Sequence, residues 1–414
     1  MQKIGVLDCN NFFVSCERLF RPDLKNKPVV VLSSNDGCVV ARSQEIKDSG
    51  IAMGVPHFQI KDNLKDIGAT TFSSNFALYR DISQRVFDVV KSELGSIEQY
   101  SIDECFFAVQ DNSFETILNL KRQVERKVGI PISIGVGCSK TQAKYIIRYA
   151  KKTNGIAVLN DEKWSEQANE IRLSEIWGVG TNRSRHFSSY GIVTVADLCN
   201  KPESQIKNLF GIEGARLQAE LMGRSVLKVT PVRLSQKSIT SSRSFASSVS
   251  DLSVLEDAVA YHVYQVANDL KNMNLLTNSL RLTLGTGRYG DFALQGANSE
   301  ITFNSPTADI FLLNIEAKKL LKKCYKQGVP YKKVGILLGD LKSNEITQSS
   351  LFNNGDLASD ELSKLLFNIN AKHKKTVMQL GRVENKKMSW IGRKQSLSPR
   401  YTTIWSDLKI VRTQ

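Results

Sequence analysis

The chain has 414 residues, 41% hydrophobic and 8% aromatic, enough to bury several cores and, by length, to form roughly two to four domains. Lys and Arg number 56 against 41 Asp and Glu; the resulting charge of +15 and pI near 9.4 favour polyanionic partners, nucleic acid above all. Seven scattered cysteines without a C-x-x-C, and only four histidines, give no zinc-ligand spacing and point to reduced thiols. The amino terminus lacks the order of a signal peptide and no apolar run reaches membrane-spanning length, so a cytoplasmic protein is expected.

Residues 3–8 alternate as a short strand that runs into Asp8. Segment 97–109 reads as two strands joined tightly around Asp103–Glu104. Ile117, Leu120, Val124 and Val128 recur at helical spacing, Ile132, Ile134 and Val136 alternate as a strand, and Ser139 opens a helix running to about Lys152. Gly155–Leu159 returns as a strand. Strands alternating with helices predict an α/β (α+β) sheet covered by helices on at least one face. An insertion rich in Ser, Asn and Gly, over about 30–75, separates its first two strands.

Residues 170–225 read as helices punctuated by glycine turns, and 229–237, which contains a proline and no helical period, is the linker candidate. Residues 237–342 then read strand, helix, strand, strand, helix, strand, a ferredoxin-like order. Ser253-x-x-Glu256 is the expected capping box of the first helix, and Ser305-Pro306 the N-cap and N1 of the second. Residues 343–358 are polar and loop-like, and the remaining tail is basic, with Trp390, Tyr401 and Trp405.

Asp8 ends the first strand and Asp103–Glu104 sits at the turn of a strand pair. If those strands are neighbours, three carboxylates converge at one sheet edge. Two unit charges 4 Å apart repel by roughly 4 kcal/mol at an effective dielectric of 20, so such a cluster needs cations. Oxygen-only ligands favour magnesium or manganese. Two such ions roughly 3.5–4 Å apart could activate a 3′-hydroxyl and stabilise a leaving pyrophosphate. Taken singly, an isolated Asp or Asp-Glu pair more often caps a turn in water.

Leu173-Ser-Glu-Ile-Trp-Gly178-Val179-Gly180, a helix, and then Gly191–Leu198 have the form of a helix–hairpin–helix. Its glycines let the backbone approach a phosphate, and the following helix presents unpaired N–H groups, so the contact positions DNA without reading sequence. Lys318, Lys319, Lys322, Lys323 and Lys326 form a basic run equally readable as a solvated helix face. Gln348-Ser-Ser-Leu351-Phe352 matches the Q-x-x-L-F form of peptides that dock on the bacterial sliding clamp.

Asp8-Cys-Asn-Asn-Phe-Phe-Val-Ser-Cys-Glu17 together with Tyr100-Ser-Ile-Asp-Glu104 resembles the paired palm motifs of Y-family DNA polymerases, most nearly their UmuC-type members. Pro28–Val31, Ser34–Arg42, Phe72–Asn75 and Ser398–Thr403 extend the resemblance over essentially the whole chain. It implies a right-hand fold: a ferredoxin-like palm over 1–30 and 75–169, small fingers over 31–74, and a helix–hairpin–helix thumb over 170–232. A βαββαβ little finger over 237–342, a linker with the clamp motif over 343–358 and a UmuC-type tail over 359–414 complete it.

The implied activity is error-prone translesion synthesis, adding dNTPs to a primer 3′-end on a template, in DNA damage tolerance and SOS mutagenesis. Two Mg2+ ions per site, or Mn2+, would be bound by Asp8, Asp103, Glu104 and the Cys9 backbone carbonyl. Phe13 falls at the steric-gate position that excludes a ribose 2′-hydroxyl, with Phe12 beside it. Lys47 and Lys152 would reach the triphosphate. Arg243 would join Gly178, Val179 and Gly180 in holding DNA. The resemblance further implies the sliding clamp, a dimer of cleaved UmuD and a RecA filament as partners. A two-metal nuclease would share the carboxylates without needing Phe13, and a DNA- and clamp-binding scaffold would need no carboxylate trio.

Overall fold

A computed structural model of the chain describes residues 3–109, 114–231, 236–287, 295–344, 357–373, 377–378, 380, 390, 394–408 and 410. The chain divides into two compact units, residues 1–233 with 395–414 and residues 234–394. The division falls inside the stretch read as a linker. Gln348, Leu351 and Phe352 lie outside the described residues.

The first unit begins with β1 (Lys3–Cys9), α1 (Phe12–Phe20), β2 (Val29–Leu32), β3 (Val39–Arg42), α2 (Gln44–Asp48), α3 (His57–Asp66), β4 (Thr70–Ser73) and α4 (Phe76–Leu94). It continues with β5 (Ile97–Gln99), β6 (Glu104–Val109), α5 (Phe114–Val128), β7 (Ile132–Gly137), α6 (Lys140–Ala150), β8 (Ile156–Val158) and α7 (Asp161–Gln167). The larger sheet has the order β5-β6-β1-β7-β8, with β1 antiparallel to both neighbours. Strand β1 is buried almost throughout because both faces are covered. Leu7, Cys105 and Phe107 meet α4 and α5 on one side, while Ile4, Val6 and Phe106 meet Ala143, Ile147 and Ala150 of α6 on the other.

The 30–75 insertion forms a second sheet, β3-β2-β4, backed by Ile46, Ile60 and Leu64. Helices α8 (Thr181–Ser188), α9 (Val195–Cys199) and α10 (Glu203–Leu221) enclose their own core around Ile176, Phe187, Ile206 and Leu221.

The second unit contains β9 (Ser238–Val249), α11 (Leu252–Asn272), β10 (Leu275–Thr286), β11 (Gly296–Thr307), α12 (Ile310–Cys324), β12 (Tyr331–Ser343) and α13 (Leu357–His373). The sheet order is β11-β10-β12-β9, antiparallel at every pairing, so β9 and β10 run parallel with β12 between them. That is the split β-α-β arrangement which the element order predicts.

Both helix starts differ from the expectation. Asp251 caps α11, accepting from the Ser253 N–H at 2.8 Å, because Asp251 lies one residue outside the helix and Ser253 already inside it. Asp309 caps α12, accepting from the Phe311 N–H at 2.9 Å. Ser305 and Pro306 belong to β11, an edge strand, where a residue without an N–H is tolerated.

The tail is shared between the units. Leu366, Phe367 and Trp390 enter the core of the second, whereas residues 395–401 return to the first. All seven cysteines are free, and among the described residues no helix is long and apolar enough to cross a membrane.

Candidate active site

The register of β1 against β6 sets Asp8 directly opposite Glu104. Strand β1 then ends sharply: the Cys9 N–H donates to the Asp103 carbonyl at 2.9 Å and the Asn10 N–H to that of Pro131 at 2.8 Å. Asn11 takes a left-handed conformation at φ 47° and starts α1. Asparagine tolerates that region better than most side chains. The abrupt turn leaves Asp8 at the strand end and Phe13 on the first turn of α1.

Helix α6 covers the opposite face of this edge because β7 carries Gly135 and Gly137. A Cβ at Gly135 would stand 2.6 Å from the Ala143 carbonyl oxygen, and one at Gly137 2.8 Å from the Ala143 nitrogen. The close approach brings three lysines over the strands. Lys140, Lys144 and Lys151 are spaced by four and seven residues, which keeps them on one helix face. Lys140 donates to both Glu98 oxygens at 2.7 Å, Lys144 pairs with Glu104, and Lys151 Nζ lies 2.7 Å from Asp8 Oδ1.

Burial, reinforced by the Glu104 carboxyl group, pushes Asp8 up to about 7 against the pull of Lys151. Burial also acts to raise Glu104, but hydrogen bonds from Asp8 and Lys144 outweigh it and hold that carboxyl below its ordinary range. The two shifts run in opposite directions, so a proton shared by the pair is biased towards Asp8.

The side chains of Asp8 and Glu104 thus meet, whereas Asp103 accepts instead from Ser101 Oγ at 2.6 Å. Among the described residues no three His, Cys, Asp or Glu side chains converge as a metal-holding group. The donors are nevertheless all hard oxygens, and two crowded carboxylates balanced by lysines are a set that a divalent cation would suit.

Phe13 is half-buried and stacks on Tyr79 with centroids 4.5 Å apart and planes 13° apart, edge-on to Phe76 at 5.7 Å. Phe12 is a core residue. Lys47 Nζ donates to Asn11 Oδ1 at 2.6 Å, and burial, followed by the charges of Lys151 and Arg42, lowers its pKa. Lys151, rather than its exposed neighbour Lys152, reaches Asp8. The helical spacing of Lys140, Lys144 and Lys151 was the available signal for this basic face.

Gly178 has φ +84°, a conformation that favours glycine, and open space where a Cβ would stand. Val179 is buried in the helical core, and exposed Gly180 is the N-cap of α8. Arg243 pairs in register with Val334 on the helix-covered face of the β9–β12 sheet, half-buried and near enough to depress His262. The open face of that sheet carries Ser242 and Ser244 on β9, Lys333 on β12 and Arg281 on β10.

The impB/mucB/samB family profile matches residues 7–148, its C-terminal domain matches 236–351, and a domain of unknown function matches 360–411. The chain is 32% identical to Protein UmuC of Salmonella typhimurium, over 99% of this chain and all of that one. It is 25% identical to DNA polymerase IV of Bacillus velezensis, covering 92% of this chain and 93% of that one. The structure resembles a Y-family DNA polymerase chimera of Dbh and Dpo4 with a TM-score of 0.71 at 21% identity, covering 83% of this chain and all of that one.

Proposed function

The chain belongs to the impB/mucB/samB family of Y-family DNA polymerases, and we propose that it adds dNTPs to a primer 3′-end on a template as an error-prone translesion enzyme. The observation that carries this reading is the pairing of Asp8 with Glu104 across neighbouring strands, under the lysines of α6. Asp8, Glu104, the Cys9 carbonyl and Asp103, once turned from Ser101, would hold two divalent ions, Mg2+ or Mn2+. Those ions would supply charge stabilisation at the attacking and leaving oxygens. Lys151 and Lys47 would meet the triphosphate, and Phe13 would stand against C2′ of the incoming sugar.

Residues 1–30 and 75–169 would serve as palm, 31–74 as fingers, 170–232 as thumb and 237–342 as little finger. The exposed glycine turn at Gly178–Gly180 and the polar open face of the β9–β12 sheet suit phosphate contacts, which position a duplex without reading it. Gln348, Leu351 and Phe352 would engage the sliding clamp. A dimer of cleaved UmuD and a RecA filament would act as further partners in the SOS response.

Incubating the chain with a primed template, dNTPs and Mg2+ tests the reading. Extension of the primer supports it; degradation of the DNA would indicate a nuclease, and binding without either reaction a scaffold.

A further inference from the structure

The carboxyl-terminal segment, which the sequence leaves without a role, closes back on the first unit beside α1 and β4. Ser73 donates its N–H to the Ser396 carbonyl at 2.9 Å, the Ser396 N–H donates to Ser73 Oγ at 3.1 Å, and Leu397 pairs parallel with Ser73. Residues 396–397 thereby extend the free edge of β4. Asn75, the N-cap of α4, donates its amide to the Ser398 and Pro399 carbonyls at 3.1 and 3.2 Å and to Ser398 Oγ at 3.0 Å. Tyr401 stacks on Phe20 of α1, with centroids 4.5 Å apart and planes 14° apart.

This clasp ends on a buried carboxyl group. Ser398 Oγ donates to Glu17 Oε1 at 3.0 Å, and Tyr79 OH donates to the same oxygen at 2.6 Å. Glu17 is wholly buried, and its Oε2 has no hydrogen-bond partner among the described residues. A carboxyl group in such a place depends heavily on each donor it keeps, because removing one leaves a buried acceptor short. The Tyr79 ring held by Glu17 is the ring on which Phe13 stacks. A continuous line of contacts thus runs from Ser398 through Glu17 and Tyr79 to Phe13.

We propose that residues 396–401 are a positioning element for the nucleotide site: they lock Glu17 and Tyr79, and through them the Phe13 ring that meets the incoming sugar. The inference rests on the reading of Phe13 as the sugar gate. Ser398 touches no substrate and acts only through Glu17 and Tyr79.

The test uses the full chain with Ser398→Ala, Ser398→Thr as the variant that keeps the hydroxyl, and Phe13→Ala for the gate itself. Insertion of matched rNTPs and dNTPs gives kcat and KM for each, and hydrogen exchange follows the amides of 12–20. Ser398→Ala should raise the rNTP-to-dNTP efficiency ratio about three- to tenfold, chiefly through KM, as expected for loss of one hydrogen bond to a buried carboxyl group. It should also speed exchange in α1, and Ser398→Thr should restore both. A wild-type ratio and wild-type exchange in Ser398→Ala, with a raised ratio in Phe13→Ala, would overturn the clasp and leave the gate standing. If Phe13→Ala leaves the ratio unchanged, the gate reading falls and exchange decides the clasp: faster exchange in Ser398→Ala supports it, unchanged exchange overturns it.

Discussion

Lys151 Nζ lies 2.7 Å from Asp8 Oδ1, joining the carboxy-terminal end of α6 to the end of β1. The lysine approaches from the solvent side, half-exposed over a buried acid; under the proposed function it would exchange the Asp8 carboxyl for a triphosphate oxygen.

Lys151→Ala should therefore raise KM for dNTPs about tenfold, the scale of one charged hydrogen bond, with a smaller change in kcat. Lys152→Ala should stay within about twofold of the wild type in the same assay. Equal effects of the two substitutions would remove the distinction that the geometry draws between these neighbours.

Phe13→Ala should admit ribonucleotides while deoxynucleotide insertion survives. The ring is half-buried between Tyr79 and Phe76, so its removal opens space beside the site rather than emptying the core. The ratio of rNTP to dNTP incorporation is the readout, and an unchanged ratio would make Phe13 a packing residue.

His262 predicts a pH-dependent stability. Its Nδ1 lies 2.8 Å from Ser241 Oγ, and burial, with the Arg243 charge, lowers its pKa to about 4. The folded state keeps the ring neutral while the unfolded chain takes up a proton below about 6.5. This contribution is complete above pH 6.5 and is lost as pH falls towards 4, up to about 3 kcal/mol. Urea midpoints of the wild type should thus fall more steeply from pH 7 to 4.5 than those of His262→Gln. Parallel slopes would show that His262 carries no such linkage.

Much of this arrangement was legible because it is local. Asp8 closes an apolar strand, Glu104 opens another, and Ser139 precedes a periodic helix that begins at Lys140. The cap of α11 is ambiguous in sequence because two capping residues lie close together: Asp251 stands two positions before Ser253, and propensity alone does not choose between them. Pro306 resembled a helix start, yet an edge strand accommodates it equally well. The destinations of Trp390 and Tyr401 were beyond reach, since their partners Phe245 and Phe20 are far away in sequence and no periodicity encodes such a pairing.

The clamp motif is tested with an isolated peptide. Leu351 and Phe352 are adjacent apolar residues in a polar stretch, and burying each is worth roughly 1.5–3 kcal/mol, enough together for much of a micromolar interaction. A peptide spanning 344–356 should bind the sliding clamp, and the same peptide with both residues changed to Ala should not. Equal binding would reduce the segment to a linker.

Asp103 and Glu104, with Asp8, are proposed to hold the ions on which nucleotide transfer depends. Primer extension by Asp103→Ala and Glu104→Ala, measured beside their affinity for the primed template, tests it most directly. Extension should fall at least about a thousandfold, roughly 4 kcal/mol, while DNA binding stays close to wild type. Either variant keeping a tenth of the wild-type rate would show that nucleotide transfer does not depend on that carboxylate.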